Sequence, residues 1–150
     1  LINENFANLS DVYRVINKIP KTFDLLPTLD RKTKNKHDSA RRIARIFGKD
    51  YKKNHFLKWK KIAYQIEGEH LKILKIVIKK IEKKNFLKKV PIIGAGIGEF
   101  LVKKIYNKKK YFSFYSKINH IKKNKVINCE SAISVAFILN GFLERKKSKF

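Results

Sequence analysis

Val90-Pro91-Ile92-Ile93-Gly94-Ala95-Gly96-Ile97-Gly98-Glu99-Phe100-Leu101 decides how this chain is read. A short β-branched run stops at a proline-led, glycine-spaced turn. An amphipathic stretch follows, with Ile97, Phe100, Leu101 and Ile105 on one helical face. Strand, glycine turn and helix are the means by which α/β proteins present backbone N–H groups to a phosphate. The turn lets a ligand approach the backbone, and the helix N-terminus carries partial positive charge. The same spacing serves equally for a tight β-to-α connection whose glycines matter only for packing. Spacing alone leaves both readings open.

Upstream of this stretch, Asn54 to Lys84 reads as one long helix, with a bend expected near Gly68. Phe56, Trp59, Ile62, Ala63, Ile66, His70, Ile73, Val77 and Ile81 recur on one face. His70 falls on that stripe and reads as a satisfied core histidine rather than a ligand. Downstream, Tyr111-Phe112-Ser113-Phe114-Tyr115 has strand composition, and a second short strand is expected within Ile118 to Ile127. Lys108-Lys109-Lys110 marks a break before them. Glu130 to Arg145 reads as a helix apolar almost all round, hence one buried on most sides.

Two helices are expected before the long one. Asn8 to Ile16 opens with Asn8 or Ser10 as cap, carries the apolar stripe Leu9, Val12, Ile16 and Ile19, and stops at Pro20. Asp11 suits its positive first turn and reads either as a ligand-facing acid or as a helix-steadying one. Asp38 is read as the cap of Ser39 to Phe47, which Gly48 closes. Ala40, Ile43, Ala44 and Phe47 face inward in this reading, with Arg41, Arg42 and Arg45 opposite. Between these helices runs a long polar connection, residues 20–37, whose basic and hydroxyl content suits either an anion or solvent.

Composition sets the outer bounds. The chain has 150 residues with 43% hydrophobic content, enough for one domain over 1–150 with a core. No apolar run approaches the roughly 20 residues that cross a bilayer, so no membrane partner is expected and the default location is cytoplasmic. The single cysteine, Cys129, excludes an internal disulfide framework. With no methionine and a Leu-Ile-Asn-Glu-Asn start, the chain is expected to be a fragment or processed piece. The net charge of +25 points towards anionic partners, but 31 of the 37 basic residues are lysine. Half of the six arginines fall in the one helix Ser39 to Phe47, which concentrates the anion-binding expectation there.

Several motifs fail. A dinucleotide fingerprint wants glycine where Glu99 stands, and no acid follows about 20 residues later. No P-loop is present. His37, His55, His70 and His120 have no metal-binding spacing, and no metal ligand is assigned.

Three segments together resemble one family: Phe6 to Val15, Ser39 to Asp50, and Pro91 to Leu101, with Cys129 to Ala136 agreeing in order and place. They are similar to the C-terminal half of the hydantoinase/oxoprolinase-like proteins of the archaeal, tetrahydromethanopterin-linked one-carbon pathway. The resemblance implies an α/β, helix-rich chain. It would be the second lobe of an actin/hexokinase/Hsp70-like (ribonuclease H-like) fold with two lobes and a cleft between them. It implies a transferase that moves a furanylmethyl group from a phosphate or diphosphate ester to a phenol oxygen. ATP or a phosphorylated substrate, and magnesium, are the implied cofactors. A missing N-terminal lobe or subunit would complete the site.

In this frame the glycine turn, Gly94, Gly96, Gly98 and Glu99, holds phosphate oxygens through N–H groups. Arg41 or Arg45, with Lys32, offsets developing charge, and Asp11 or Asp30 positions a metal or the acceptor. The family's Asp-Gly-Arg-Gly-Lys-like loop stands here as Asp30-Arg31-Lys32-Thr33-Lys34, without either glycine. Two rivals remain: an ATP-dependent, kinase-like enzyme of the same superfamily, and a basic nucleic-acid-binding domain. The second is disfavoured because no aromatic-basic recognition pattern is present.

Overall fold

The structure, a computed structural model, describes residues 6–24, 26–84, 90–106, 111–117 and 129–147. The chain forms two compact units, Leu1–Asn85 and Phe86–Phe150. The class is mixed: mostly helix, with one small parallel sheet.

The first unit packs three helices, α1 (Leu9–Val15), α2 (Lys36–Ile46) and α3 (Phe56–Lys84). Asn8 caps α1 in a reciprocal box. Its side chain accepts from the Asp11 N–H at 3.2 Å, and the Asp11 carboxylate accepts from the Asn8 N–H at 3.3 Å. The helix stops well before Pro20. Asn17 takes φ 57°, and Lys18 N–H reaches back to the Tyr13 carbonyl at 2.7 Å, a left-handed termination that asparagine tolerates. The cap of α2 lies three residues before the expected one. Asn35, not Asp38, accepts the His37 and Asp38 N–H groups, each at 2.8 Å. Its end is as expected, with Gly48 at φ 61°.

The core joins Val12, Val15, Ile16 and Ile19 to Ala40, Ile43, Ala44, Trp59 and Ala63. Alanines at the crossing let the helix axes approach closely. Leu9 and Phe47, expected inside, lie at helix ends and stay substantially exposed; Phe47 keeps its ring against Trp59, centroids 6.0 Å apart. His70 is satisfied as expected, its Nδ1 2.6 Å from the Tyr13 hydroxyl. Burial, then the charge of Glu67, pushes the Tyr13 hydroxyl up to about 12.

The long helix departs from expectation in its second half. Ile73, Val77 and Ile81 are about half exposed, Ile73 at 59%. The reason is length. At 1.5 Å per residue α3 runs about 43 Å, whereas α1 and α2 run only about 10 and 17 Å. They cover it as far as His70.

In the second unit, β1 (Ile92–Gly94) leads through a turn into α4 (Glu99–Ile105), and β2 (Tyr111–Ser113) follows. The strands pair in parallel, Ile92 with Tyr111, Ile93 with Phe112 and Gly94 with Ser113. A helical crossover is what parallel pairing requires. The expected strand over 111–115 is thus three residues long, and Phe114–Lys117 turns as a 3-10 helix. The strand expected within Ile118 to Ile127 and the lysine break at 108–110 lie outside the described residues.

The last helix, α5 (Glu130–Lys147), overturns the expectation of burial: Val135, Phe137, Ile138, Leu139, Phe142 and Leu143 are all more than half exposed. Three-residue strands span about 10 Å against about 27 Å for this helix, too little surface to enclose it. No helix among the described residues is long and apolar enough to cross a membrane.

Candidate functional site

The expected acids Asp11 and Asp30 meet, but through a residue that the sequence reading placed on the outside. Arg42 is 1% exposed. Its Nη2 and Nε donate to Asp11 Oδ1 at 2.7 and 3.0 Å, and its Nη1 donates to Asp30 Oδ1 at 3.0 Å. Ser39, one turn earlier on α2, adds its hydroxyl to Asp11 Oδ1 at 2.8 Å. Arg14, one turn after Asp11, approaches Asp11 Oδ1 and Asp24 Oδ2, each at 3.4 Å. Lys34 closes the set 3.7 Å from Asp24 Oδ1.

Local structure explains the convergence. Asp11 and Arg14 are i, i+3 on α1, so they share a face; Ser39 and Arg42 share one on α2 in the same way. Ser39 and Arg42 flank the Ala40–Ile43–Ala44 seam, which sets them against α1. The Asp30 loop is turned towards them by its own contacts. Asp30 Oδ1 accepts the Lys32 N–H at 3.1 Å, the Thr28 hydroxyl donates to the Lys32 carbonyl at 2.7 Å, and Arg31 adopts φ 52°.

Three carboxylates (Asp11, Asp24, Asp30) face three cations (Arg14, Arg42, Lys34), so the cluster is close to neutral. Neutrality is what permits burial of so many charges. Burial alone would raise the Asp30 carboxyl, but the Lys32 N–H and the Arg42 guanidinium outweigh it and hold it below the usual range. Burial likewise opposes the charge on Arg42, and Asp11 and Asp30 more than restore it. Two of the cluster's buried atoms have no hydrogen-bond partner among the described residues, Arg14 Nε and Asp30 Oδ2. A cavity of about 60 Å³ opens beside the cluster, lined by Asn8, Asp11, Arg14, Asp24, Thr28 and Arg42 among others.

The remaining expected residues lie elsewhere. Arg41 pairs with Asp38 and sits over the Tyr51 ring. Arg45 is exposed, 5.8 Å from the Phe6 ring centroid. The Lys32 side chain is exposed, and only its backbone reaches Asp30.

The glycine turn belongs to the second unit. Gly94 has no room for a side chain: a Cβ there would stand 2.5 Å from Tyr111 Cε2. Gly96 takes φ 73°, where glycine is favoured. Gly98 is the residue before α4 and has open space around it. The Glu99 N–H bonds to the Gly96 carbonyl at 3.2 Å, and the buried Glu99 carboxylate accepts the Tyr111 hydroxyl. Burial, and then Glu99, push the Tyr111 hydroxyl up to about 12. Gly94 therefore has a packing role whatever else the turn does.

Sequence reasoning missed Arg42, Arg14, Ser39 and Asp24. The available signal was the pair of i, i+3 spacings, Asp11–Arg14 and Ser39–Arg42, on helices whose apolar seams adjoin them. Among the described residues no group of three His, Cys, Asp or Glu side chains is placed to hold a metal ion. Neither a family model nor a curated protein matches the chain.

Proposed function

We propose that this chain is the second lobe of an actin-like, two-lobe transferase resembling the hydantoinase/oxoprolinase-like proteins. One observation carries the reading. The segments that bear the resemblance in the first unit, Asp11 to Arg14 and Ser39 to Arg42, lock together with the Asp30 loop in one buried cluster. Residues distant in sequence and joined so tightly form a rigid support for a site.

In the reaction, the phenol oxygen bonds to the furanylmethyl carbon as the bond from that carbon to the diphosphate oxygen breaks. The electron pair leaves on diphosphate, and the phenol proton passes to solvent. Such a departure needs charge stabilisation above all. In this account Asp11 and Asp30 act as positioning residues, holding Arg42, Arg14 and the 28–34 loop in place, since guanidinium groups already engage their carboxylates. ATP or a phosphorylated donor, with magnesium, is the proposed ligand set.

The test supplies a furanylmethyl diphosphate and a tyramine-class phenol to the chain together with its companion lobe. Aryl ether formation with release of diphosphate is the expected result. Release of inorganic phosphate from ATP without ether overturns it in favour of the kinase-like reading. Tight single-stranded nucleic-acid binding at about 150 mM salt, with neither reaction, overturns it in favour of a nucleic-acid module.

A further inference from the structure

Arg14 borders two cavities. The second is an open cleft of about 600 Å³ between the end of α1 and the start of α2. Arg14, Lys18 and Lys21 line one side, and Lys34, Lys36 and His37 the other. None of the residues lining it is acidic, and none is Phe, Tyr or Trp.

Local structure builds this basic lining. The left-handed Asn17 reverses the chain directly after α1 and brings Lys18 and Lys21 to the cleft. Lys34 is held in place by the Asp24 and Leu26 carbonyls. His37 is fixed by the Tyr51 hydroxyl and by the Phe56 ring, 4.9 Å between centroids. Lys18, Lys21 and Lys36 make no ion pair with a described residue. The positive end of the eleven-residue α2 adjoins them.

Arg14 forms the back of the cleft, with its guanidinium turned towards Asp11 and Asp24 and shielded from solvent. The residue is 4% exposed, and its Nε has no partner among the described residues.

We infer that this cleft binds a small polyanion of the diphosphate class. Three ammonium groups without an ion pair to a described residue exceed what one phosphate monoanion balances, and the volume accommodates a diphosphate with a small organic group. Among the lining residues the one ring, His37, is already engaged by Phe56 and Tyr51, which disfavours stacking of a nucleic-acid strand. The inference does not depend on the transferase reading: it follows from the cleft alone.

The test is amide NMR of the full 150-residue chain titrated with inorganic pyrophosphate at about 150 mM salt, where long-range attraction is largely screened. Saturable shifts are expected in residues 14–21 and 34–37. The triple substitution K18A/K21A/K36A should weaken binding by about tenfold or more, since it removes three charge-assisted contacts. K61A/K75A/K79A removes the same charge from the exposed face of α3 and should change affinity less than about twofold. Tighter binding of ADP than of pyrophosphate supports the site and identifies an ester; the reverse order supports it and identifies free diphosphate. Absence of saturable binding overturns the inference. So does equal weakening in both triple variants, and so does a single-stranded oligonucleotide that displaces pyrophosphate at lower concentration than ADP. Binding here without ether formation in the donor–acceptor assay leaves the cleft standing and removes only the transferase reading.

Discussion

Asp11 and Glu99 occupy similar places. Each is a buried acid in the first turn of a seven-residue helix, Asp11 in α1 and Glu99 in α4. Their surroundings differ. Asp11 receives two guanidinium groups and a hydroxyl, and Arg42 and Ser39 reach it from some thirty residues along the chain. Glu99 receives the neutral hydroxyl of Tyr111, twelve residues away across a βα connection that Gly94 keeps clear. One helix start is tied into a network of charges between elements. The other is part of a local packing arrangement. Removing a partner should therefore damage the two regions by different mechanisms and to different extents.

The largest effect is expected from Arg42→Met, which preserves bulk but leaves Asp11 and Asp30 buried without their main cation. Breaking a buried pair from one side costs about 3–5 kcal/mol. Urea unfolding followed by Trp59 fluorescence measures it, because the single tryptophan is buried in the first unit. A loss below about 1 kcal/mol would put Arg42 among exposed ion pairs instead.

Gly94→Ala should cost less, about 1–3 kcal/mol, through overpacking against Tyr111. The cost should shrink in a Tyr111→Ala background, where the clashing ring is gone. Hydrogen exchange in 92–105 provides the readout. An unchanged cost in that background would separate Gly94 from Tyr111.

The third effect is a pH dependence that the charged cluster contributes through Asp30. The folded Asp30 carboxyl lies below its usual value, so its contribution is fully present above about pH 4 and is lost as pH falls through the folded value. Stability of the wild type should thus fall more steeply than that of Asp30→Asn on acidification below about pH 4. Parallel curves would remove Asp30 from the ionised network.

Legibility in the sequence followed the range of each interaction. The strand–turn–helix over 92–105 was readable because its signals are adjacent: β-branched residues, spaced glycines, then an amphipathic stripe. Gly48 as a helix end and His70 as a satisfied stripe residue were readable for the same reason. Arg42 was not, because its outward assignment rested on charge alone and arginine is almost never fully buried unless paired. Its partners sit on another helix and a loop, and only tertiary packing brings them together. The stop of α1 and the start of α2 were missed because asparagine acts at both, once as a left-handed terminator and once as a cap. The exposed apolar surfaces of late α3 and α5 were missed for a different reason. Periodicity shows which face is apolar but not whether the described elements of the same unit are long enough to cover it.

The central claim is that α1, α2 and the Asp30 loop are joined by a charge network centred on Arg42. A double-mutant cycle between Asp11→Asn and Arg42→Gln, read by Trp59 fluorescence in urea, tests it most directly. Groups in one buried network couple by about 0.5–3 kcal/mol, and the upper half of that range is expected here. Costs that simply add, to within about 0.3 kcal/mol, would contradict it.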